Sequence, residues 1–305
     1  VSCQQEEWTE HTGNRTGGTS VRLRSEEYEN PGTTRSTTGE TEPYDRVEFC
    51  VADEEGYIVG GLKGIYNPQT QEMKIEGLKE GEYRLLILAV RGDEQADGAT
   101  IRRMEHLTDE WIGFPEDLGK PLEAEYFYSQ TPFSVERIQT AGGYEHEARL
   151  PDEIVQKRIM GRMDIALLYN NENVRTAVTQ KTLTLENARF YTRFTGDGGY
   201  AGESDGTMEQ LDLNQAEAFC FMPVVAGTEV EGRIDLETRN YRGGTVACSY
   251  RFATDSLCAN RISRVNAQMV HPDDYLGTLF VTRTAYNEGR HALILQDGEP
   301  KTVYT

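Results

Sequence analysis

Short runs of alternating apolar and polar residues, separated by turns that contain Gly, dominate this chain. Residues 47–52 follow a period of two, which is typical of a half-buried β-strand. The most apolar run, residues 82–90, predicts a central strand. Strands this short, at this spacing, indicate an all-β sandwich.

The same pattern continues in the second half, in residues 163–169, 182–185 and 230–236. Pro151 disfavours a helical conformation just before it and predicts a boundary between two units. We therefore predict two consecutive β-sandwich domains, one at residues 45–155 and one at 156–305. One short helix is predicted at residues 99–113, where four apolar residues recur at helical spacing, namely Ile101, Met104, Leu107 and Trp111.

The first residues are typical of a bacterial lipoprotein after removal of its signal. A small residue precedes Cys3, and a polar, acidic run follows it. We expect Cys3 to carry a lipid that holds the protein on a membrane; the alternative is a cysteine without a role. Residues 1–44 are then predicted to be a lipidated tether, because residues 8–44 offer little apolar surface to bury. A weak alternation at residues 20–23 could add a strand.

The charge balance excludes two classes of partner. The chain has 51 acidic and 31 basic residues and a formal charge of −20. Nucleic acid requires clustered Lys and Arg, so binding of nucleic acid is not expected. Anionic lipid surfaces are disfavoured for the same reason. No apolar run reaches the length of a membrane span, which leaves the lipid on Cys3 as the expected membrane contact.

The remaining cysteines do not form a metal or redox motif. They are Cys50, Cys220, Cys248 and Cys258, and none belongs to a C-x-x-C pair. Cys248 and Cys258 could form a disulfide in an oxidising compartment. The alternative is that both are small buried strand residues.

Four segments of the chain carry a family resemblance. Residues 3–7 form an acid-rich start, residues 47–59 combine a strand, an acidic turn with Gly and a second strand, and residues 78–87 form the strand that follows. Residues 158–165 lead into the second predicted domain. In its acid-rich start, its first hairpin with the next strand, and its entry into a second domain, the chain resembles the lipid-anchored, fimbrillin-like subunits of Bacteroidia pili.

The resemblance implies two transthyretin-like β-sandwich domains and an anchor, tip or structural role in a fimbria at the outer membrane. Its partners would be other pilus subunits, joined by donor-strand complementation. In polymerising members an Arg-specific protease trims the N-terminus, so Arg35 and Arg46 are the candidate cleavage positions. The alternatives are that neither arginine has this role and that an anchor or tip subunit is not trimmed. Residues 301–305 alternate like a strand and could serve as a donor strand.

No catalytic motif is present, so the chain is expected to be non-enzymatic and without cofactors. It lacks H-E-x-x-H, G-x-S-x-G and P-loop patterns. Residues 270–275, which contain His271, favour a turn over a fragment of a catalytic triad. The weak candidates for a Ca²⁺ site are Asp197, Glu203 and Asp205, whose spacing departs from the strict calcium loop. A long hairpin loop is the other interpretation.

The sequence is also compatible with two other functions. The alternating aromatic residues 126–128 could expose a ring that stacks on a sugar, which would fit a surface glycan-binding lipoprotein of a nutrient-uptake system. The simpler interpretation is that they fill half-buried strands. A secreted hydrolase is a third hypothesis, since many carboxylates are available, but no residue is nominated for it.

Overall fold

Extended strands form almost all of the regular structure, which confirms the predicted all-β class. The fold is that of a computed structural model, which describes residues 19–29, 42–117, 119–141, 143–169, 172–204, 208–239, 242–254, 257–269, 279–284, 293–296 and 299–302. The strands before residue 160 are β1 (Thr19–Ser25), β2 (Arg46–Ala52), β3 (Lys63–Asn67), β4 (Glu72–Glu76), β5 (Gly81–Arg91), β6 (Thr100–Ile101), β7 (Glu110–Gly113), β8 (Glu125–Thr140), β9 (Gly143–Arg149) and β10 (Glu153–Arg158).

The elements after residue 160 are again strands, with one short helix. They are β11 (Gly161–Tyr169), α1 (Glu172–Ala177), β12 (Val178–Glu186), β13 (Arg193–Thr195), β14 (Tyr200–Ala201), β15 (Met208–Asp212), β16 (Ala218–Phe221), β17 (Val230–Arg239), β18 (Thr245–Thr254), β19 (Ile262–Met269), β20 (Leu279–Thr284), β21 (Leu293–Gln296) and β22 (Glu299–Thr302).

The first sandwich is one hydrogen-bonded sheet that folds over on itself. Its strand order is β2-β5-β8-β10-β1-β4-β3. The eighth strand, β9, pairs with β8 and stands outside this linear order. The sheet turns where β8 meets β10, at the pairs Lys157 with Tyr128 and Arg158 with Phe127. Side chains from both halves then share one core, which includes Val21, Leu23, Met73, Ile75, Leu85, Ile87, Ala89, Phe133 and Ile154.

The second sandwich consists of two sheets from the C-terminal half. One has the order β16-β11-β19-β20-β21-β22 and the other β15-β12-β17-β18. Alternate residues of β11 and β17 are buried between the sheets, as their period of two predicts. The core between them includes Met163, Ile165, Leu183, Leu185, Phe219, Phe221, Ile234, Leu236 and Val265.

Both sandwiches bury residues of the same strand, β5. Leu85 and Ile87 belong to the first core, whereas Leu86 and Leu88 belong to the second. This explains why residues 85–90 are continuously apolar, since a strand covered on both faces needs no polar side. A small sheet, β14-β13-β7-β6, also joins strands from both halves of the chain.

Residues 99–113 form two short strands and a loop, so the predicted helix is wrong. β7 pairs with β6 and also with β13, which comes from the second half of the chain. Met104 and Leu107 are buried, but they lie in the loop between the strands. The loop is fixed by a bridge between Tyr57 and His106. Hydrogen bonds to distant segments therefore replace those of a local helix, as tertiary context often overrides propensity.

Residues 19–29 correct the prediction of a tether over residues 1–44. Thr19–Ser25 is strand β1, paired on both sides, and residues 26–29 continue across the protein surface. The weak alternation at residues 20–23 was the signal for this strand. Cys3 and Arg35 lie outside the described residues. Within the part of the chain described, no helix is both long and apolar enough to cross a membrane.

Candidate functional site

The N-terminal strand β1 lies inside the first sandwich, between two strands from later in the chain. It runs antiparallel to β4, where Val21 is opposite Met73, and parallel to β10, where Leu23 is opposite Ile154. The Leu23 amide donates to the Gln71 carbonyl at 2.9 Å, and the Glu26 amide donates to that of Gln156 at 2.8 Å. A strand from the start of the chain therefore completes the sheet.

The inward face of β1 is apolar and almost completely covered. Val21 and Leu23 are each 1% exposed and pack in the core of the first sandwich. The outward Arg22 is exposed, and Arg24 pairs with Glu153. Burial of an aliphatic side chain of this size contributes about 1.5–3 kcal/mol, so these two residues supply much of the attachment of β1.

Two buried arginines hold the end of β1. Arg158 donates from Nε to Glu125 Oε1 at 3.1 Å, and Arg91 donates from Nη1 to Glu125 Oε2 at 3.2 Å. Both guanidinium groups lie 5.0 Å from the centre of the Phe127 ring. We call Arg91 and Arg158 the arginine pair. Because one carboxylate and one aromatic ring serve both, the pair is fixed in place.

The arginine pair contacts the N-terminal segment, defined here as residues 19–29. Arg91 Nη2 donates to Ser25 Oγ at 2.8 Å, and Arg158 Nη1 donates to the Glu26 carbonyl at 2.5 Å. Arg158 also lies 4.3 Å from the centre of the Tyr28 ring. Burial raises the pKa of Tyr28 well above its ordinary value, so the phenol is neutral in this site.

The segment then reaches the second sandwich. The Glu29 amide donates to the Asn260 carbonyl at 3.0 Å, and Arg261 pairs with the Glu29 carboxylate. Asn260 Nδ2 also donates to the Glu27 carbonyl at 3.0 Å. Residues 19–29 therefore contact both sandwiches.

Residues 42–46, which follow the N-terminal segment along the chain, contact the same site. The Tyr44 hydroxyl donates to Ser25 Oγ at 3.0 Å, and Arg91 donates to the Glu42 carbonyl at 2.7 Å. Burial raises the pKa of Tyr44 to about 12. Two residues further on, Arg46 begins β2 and forms ion pairs with Glu48 and Glu94.

Two of the three proposed calcium ligands contact other groups in the described residues. Asp197 Oδ1 accepts from Thr195 Oγ1 and from the Gly199 amide, which fixes the hairpin between β13 and β14. Glu203 is paired with Arg189, and Asp205 lies outside the described residues. No cluster of three potential metal ligands occurs among the residues described.

The aromatic residues nominated for glycan stacking face inward. Tyr126 and Phe127 are fully buried. Tyr128 is half-buried, and its hydroxyl donates to the Gly196 carbonyl at 2.7 Å. The exposed tyrosines Tyr57 and Tyr144 instead lie beside His106 and Arg137, respectively.

The remaining nominated positions are the cysteines, the suggested C-terminal donor strand and the segment around His271. Cys220 is present as a thiol, whereas the side chain of Cys248 is not described, so its disulfide with Cys258 stays a prediction. Within the suggested C-terminal donor strand, Lys301 and Thr302 pair with β21 of the same chain. The segment around His271 lies outside the described residues.

Comparisons with known proteins give structural likeness only. No family model matches the chain, and no curated protein matches it. The chain is similar to the fimbrial anchor protein Mfa2 from Porphyromonas gingivalis, with a TM-score of 0.45 and 14% identity over 94% of this chain and 99% of that one.

Two further solved structures are similar over comparable lengths. A "putative adhesin" from Bacteroides ovatus has a TM-score of 0.46 and 10% identity, over 93% of this chain and 96% of that one. One of the "putative polysaccharide binding proteins" from Bacteroides thetaiotaomicron has a TM-score of 0.48 and 11% identity, over 94% and 98%.

Proposed function

We propose that this chain is a non-enzymatic subunit of a cell-surface fimbria and that it joins other subunits by exchange of strand β1. The observation that carries the proposal is the position of β1. An N-terminal strand with two buried apolar residues lies between β4 and β10 and is connected to the body through residues 30–41. Such a strand can be replaced by an equivalent strand of another chain without rearrangement of the rest.

Removal of β1 would create a strong acceptor for an extended peptide. The facing edges of β4 and β10 would lose their hydrogen-bonding partners, and Met73, Ile75 and Ile154 would lose their cover. Unpaired sheet edges beside an apolar groove recruit another strand. Main-chain hydrogen bonds supply affinity in this mode, and alternate side chains supply register.

The proposed processing and anchoring fit this arrangement. A cut after Arg35 or after Arg46 would fall beyond residue 29 and would separate β1 from the body. Arg46 pairs with Val90 at the start of β2, so a cut there requires that end of β2 to open. We further propose that a lipid on Cys3 holds the subunit at the outer membrane, where adhesion is its role.

The test is exchange of β1 in the full chain. A site for a sequence-specific protease replaces residues 32–38, and the folded protein is cut and incubated with a fluorescent peptide of residues 19–29. We expect the peptide to enter as the original segment leaves. Fluorescence anisotropy measures the entry of the peptide, and intact-mass spectrometry measures the loss of the original segment. A peptide with Val21→Asp and Leu23→Asp is the control and should not enter. A cut protein that never accepts the peptide would contradict the proposal.

A further inference from the structure

We infer that the acceptor groove is bipartite, and that a donor segment must carry an aromatic residue five positions after the last buried apolar residue of its strand. This inference rests on the proposed function and specifies the partner. The first half of the groove lies between β4 and β10, and the second half lies on the second sandwich. The partner is therefore an extended segment of another polypeptide with the pattern apolar-x-apolar-x-small-x-x-aromatic.

The first half of the groove selects a short apolar strand that ends in a small residue. Val21 and Leu23 occupy its core positions. Ser25 is 2% exposed and is enclosed by the Tyr44 hydroxyl and the Arg91 guanidinium. A larger side chain at this position would displace one of these groups, so the groove requires a small residue there.

The second half is built around Tyr28. This ring is 7% exposed and lies under the Arg158 guanidinium, beside Cys220. The Tyr28 hydroxyl has no nitrogen or oxygen hydrogen-bond partner within the described structure, and its neighbour there is the Cys220 thiol, a weak hydrogen-bonding group. Recognition therefore depends mainly on the ring and its contact with the cation, because the thiol beside the hydroxyl is only a weak hydrogen-bonding group.

The backbone around this ring is held by a residue of unusual conformation. Asn260 has a φ of 53°, in the left-handed region that Asn tolerates better than most residues. From there its carbonyl accepts from the Glu29 amide, and its Nδ2 donates to Glu26 and Glu27. Arg261 adds the ion pair with Glu29. These contacts fix residues 26–29 on the second sandwich.

The reach of the chain agrees with the required spacing. An extended chain advances about 3.3 Å per residue, so five residues after Leu23 carry the donor beyond β10 to the second sandwich. Arg158 connects the two halves, because it ends β10 and contacts both the Glu26 carbonyl and the Tyr28 ring. A donor that ends at Ser25 would leave this half of the groove empty.

The experiment uses the cut full-length protein and four peptides. They are residues 19–29, the same with Tyr28→Ala, the same with Tyr28→Phe, and residues 19–25. We expect Tyr28→Ala to weaken binding about tenfold or more, as loss of a buried aromatic anchor does. The short peptide should be weaker still, and Tyr28→Phe should bind nearly as tightly as the parent because the hydroxyl loses at most a weak contact with the Cys220 thiol.

A substitution in the acceptor protein provides an independent test of the bipartite groove. Arg261→Ala in the cut protein should weaken the peptide of residues 19–29 by a few fold and leave the peptide of residues 19–25 unchanged. Arg251→Ala, at an exposed position of β18, is the matched control. If the short and Tyr28→Ala peptides bind as tightly as the parent, the bipartite groove is wrong while strand exchange stands. If no peptide enters, both proposals fail.

Discussion

At the scale of single residues, Arg158 does most to connect the parts of the candidate site. Its side chain is 4% exposed and contacts Glu125, the Glu26 carbonyl and the Tyr28 and Phe127 rings. A buried ion pair adds little net stability unless its hydrogen bonds are satisfied. Here the planar guanidinium donates hydrogen bonds to a carboxylate and a carbonyl and also contacts two aromatic rings. A lysine ammonium cannot make all of these contacts together.

The first prediction replaces this side chain by one of the same charge. Arg158→Lys should lower the free energy of unfolding by about 1–3 kcal/mol, because the stacked and hydrogen-bonded contacts are lost while the charge stays buried. Arg24→Lys is the matched control, since Arg24 forms an exposed pair with Glu153 and should cost less than about 1 kcal/mol. Urea unfolding measures both, and equal losses would contradict the role given to Arg158.

The second prediction concerns the buried tyrosines. Burial raises the pKa values of Tyr28, Tyr44, Tyr126, Tyr128 and Tyr200 above the ordinary value. The folded state therefore favours the neutral phenol. The stability that these neutral phenols contribute should be fully present below about pH 10 and should be lost as the pH rises from there through the folded pKa values; Tyr44, at a pKa of about 12, accounts for about 2–3 kcal/mol of the loss.

Unfolding free energies measured across this alkaline range give the check. Tyr44→Phe should lose less stability between pH 10 and 12 than the parent protein. Tyr57→Phe, at an exposed tyrosine, should follow the parent curve. A parallel decline in all three proteins would show that Tyr44 does not couple folding to pH.

The sequence pattern indicates the buried polar residues of the site only weakly. In β10 the buried positions alternate as Ile154, Gln156 and Arg158, so two polar residues occupy the inward face of a strand. That pattern indicates a buried polar network, but not its partners. Tyr28 and Ser25 come from a segment more than 100 residues away in the chain, and only the tertiary fold brings them to Arg158.

At the scale of elements, period-two patterns predicted the strands whose apolar faces are buried within a sandwich. Residues 47–52 and 163–169 are strands, as predicted. The prediction failed at residues 99–113, where apolar spacing of three and four arose from a loop that packs into the core. At residues 19–25 the alternation at residues 20–23 indicated a strand only weakly, and the polar neighbourhood favoured a tether, because the strand's partners, β4 and β10, lie far along the chain.

The third prediction tests whether the buried Leu23 side chain holds β1 in place, by comparison with the removal of an exposed apolar side chain. Leu23→Ala removes a buried side chain from β1 and should destabilise the protein by about 2–5 kcal/mol. Ile65→Ala is the matched control, because Ile65 is 51% exposed on β3, and should change stability by less than about 1 kcal/mol. In the cut protein, Leu23→Ala should also speed release of the N-terminal segment. An unchanged release rate would mean that Leu23 does not hold β1.

At the scale of the whole molecule, β5 makes the two sandwiches one structural unit. Leu85 and Leu86 are both fully buried, yet they face different cores. The N-terminal segment adds a second connection, since it pairs with β4 and β10 and then bonds to Asn260 and Arg261. Two cores that share a strand and a covering segment should unfold together.

The fourth prediction tests this coupling by hydrogen exchange. Leu85→Ala affects the first core directly, with an expected cost of about 2–5 kcal/mol, and should increase exchange in β17 of the second sandwich as much as in β4 of the first. Leu86→Ala should produce the same pattern from the opposite face. Leu168→Ala, at a position 52% exposed on β11, is the control and should leave both strands protected. If Leu85→Ala increases exchange in β4 alone, the sandwiches unfold separately, and strand exchange at β1 would leave the second sandwich undisturbed.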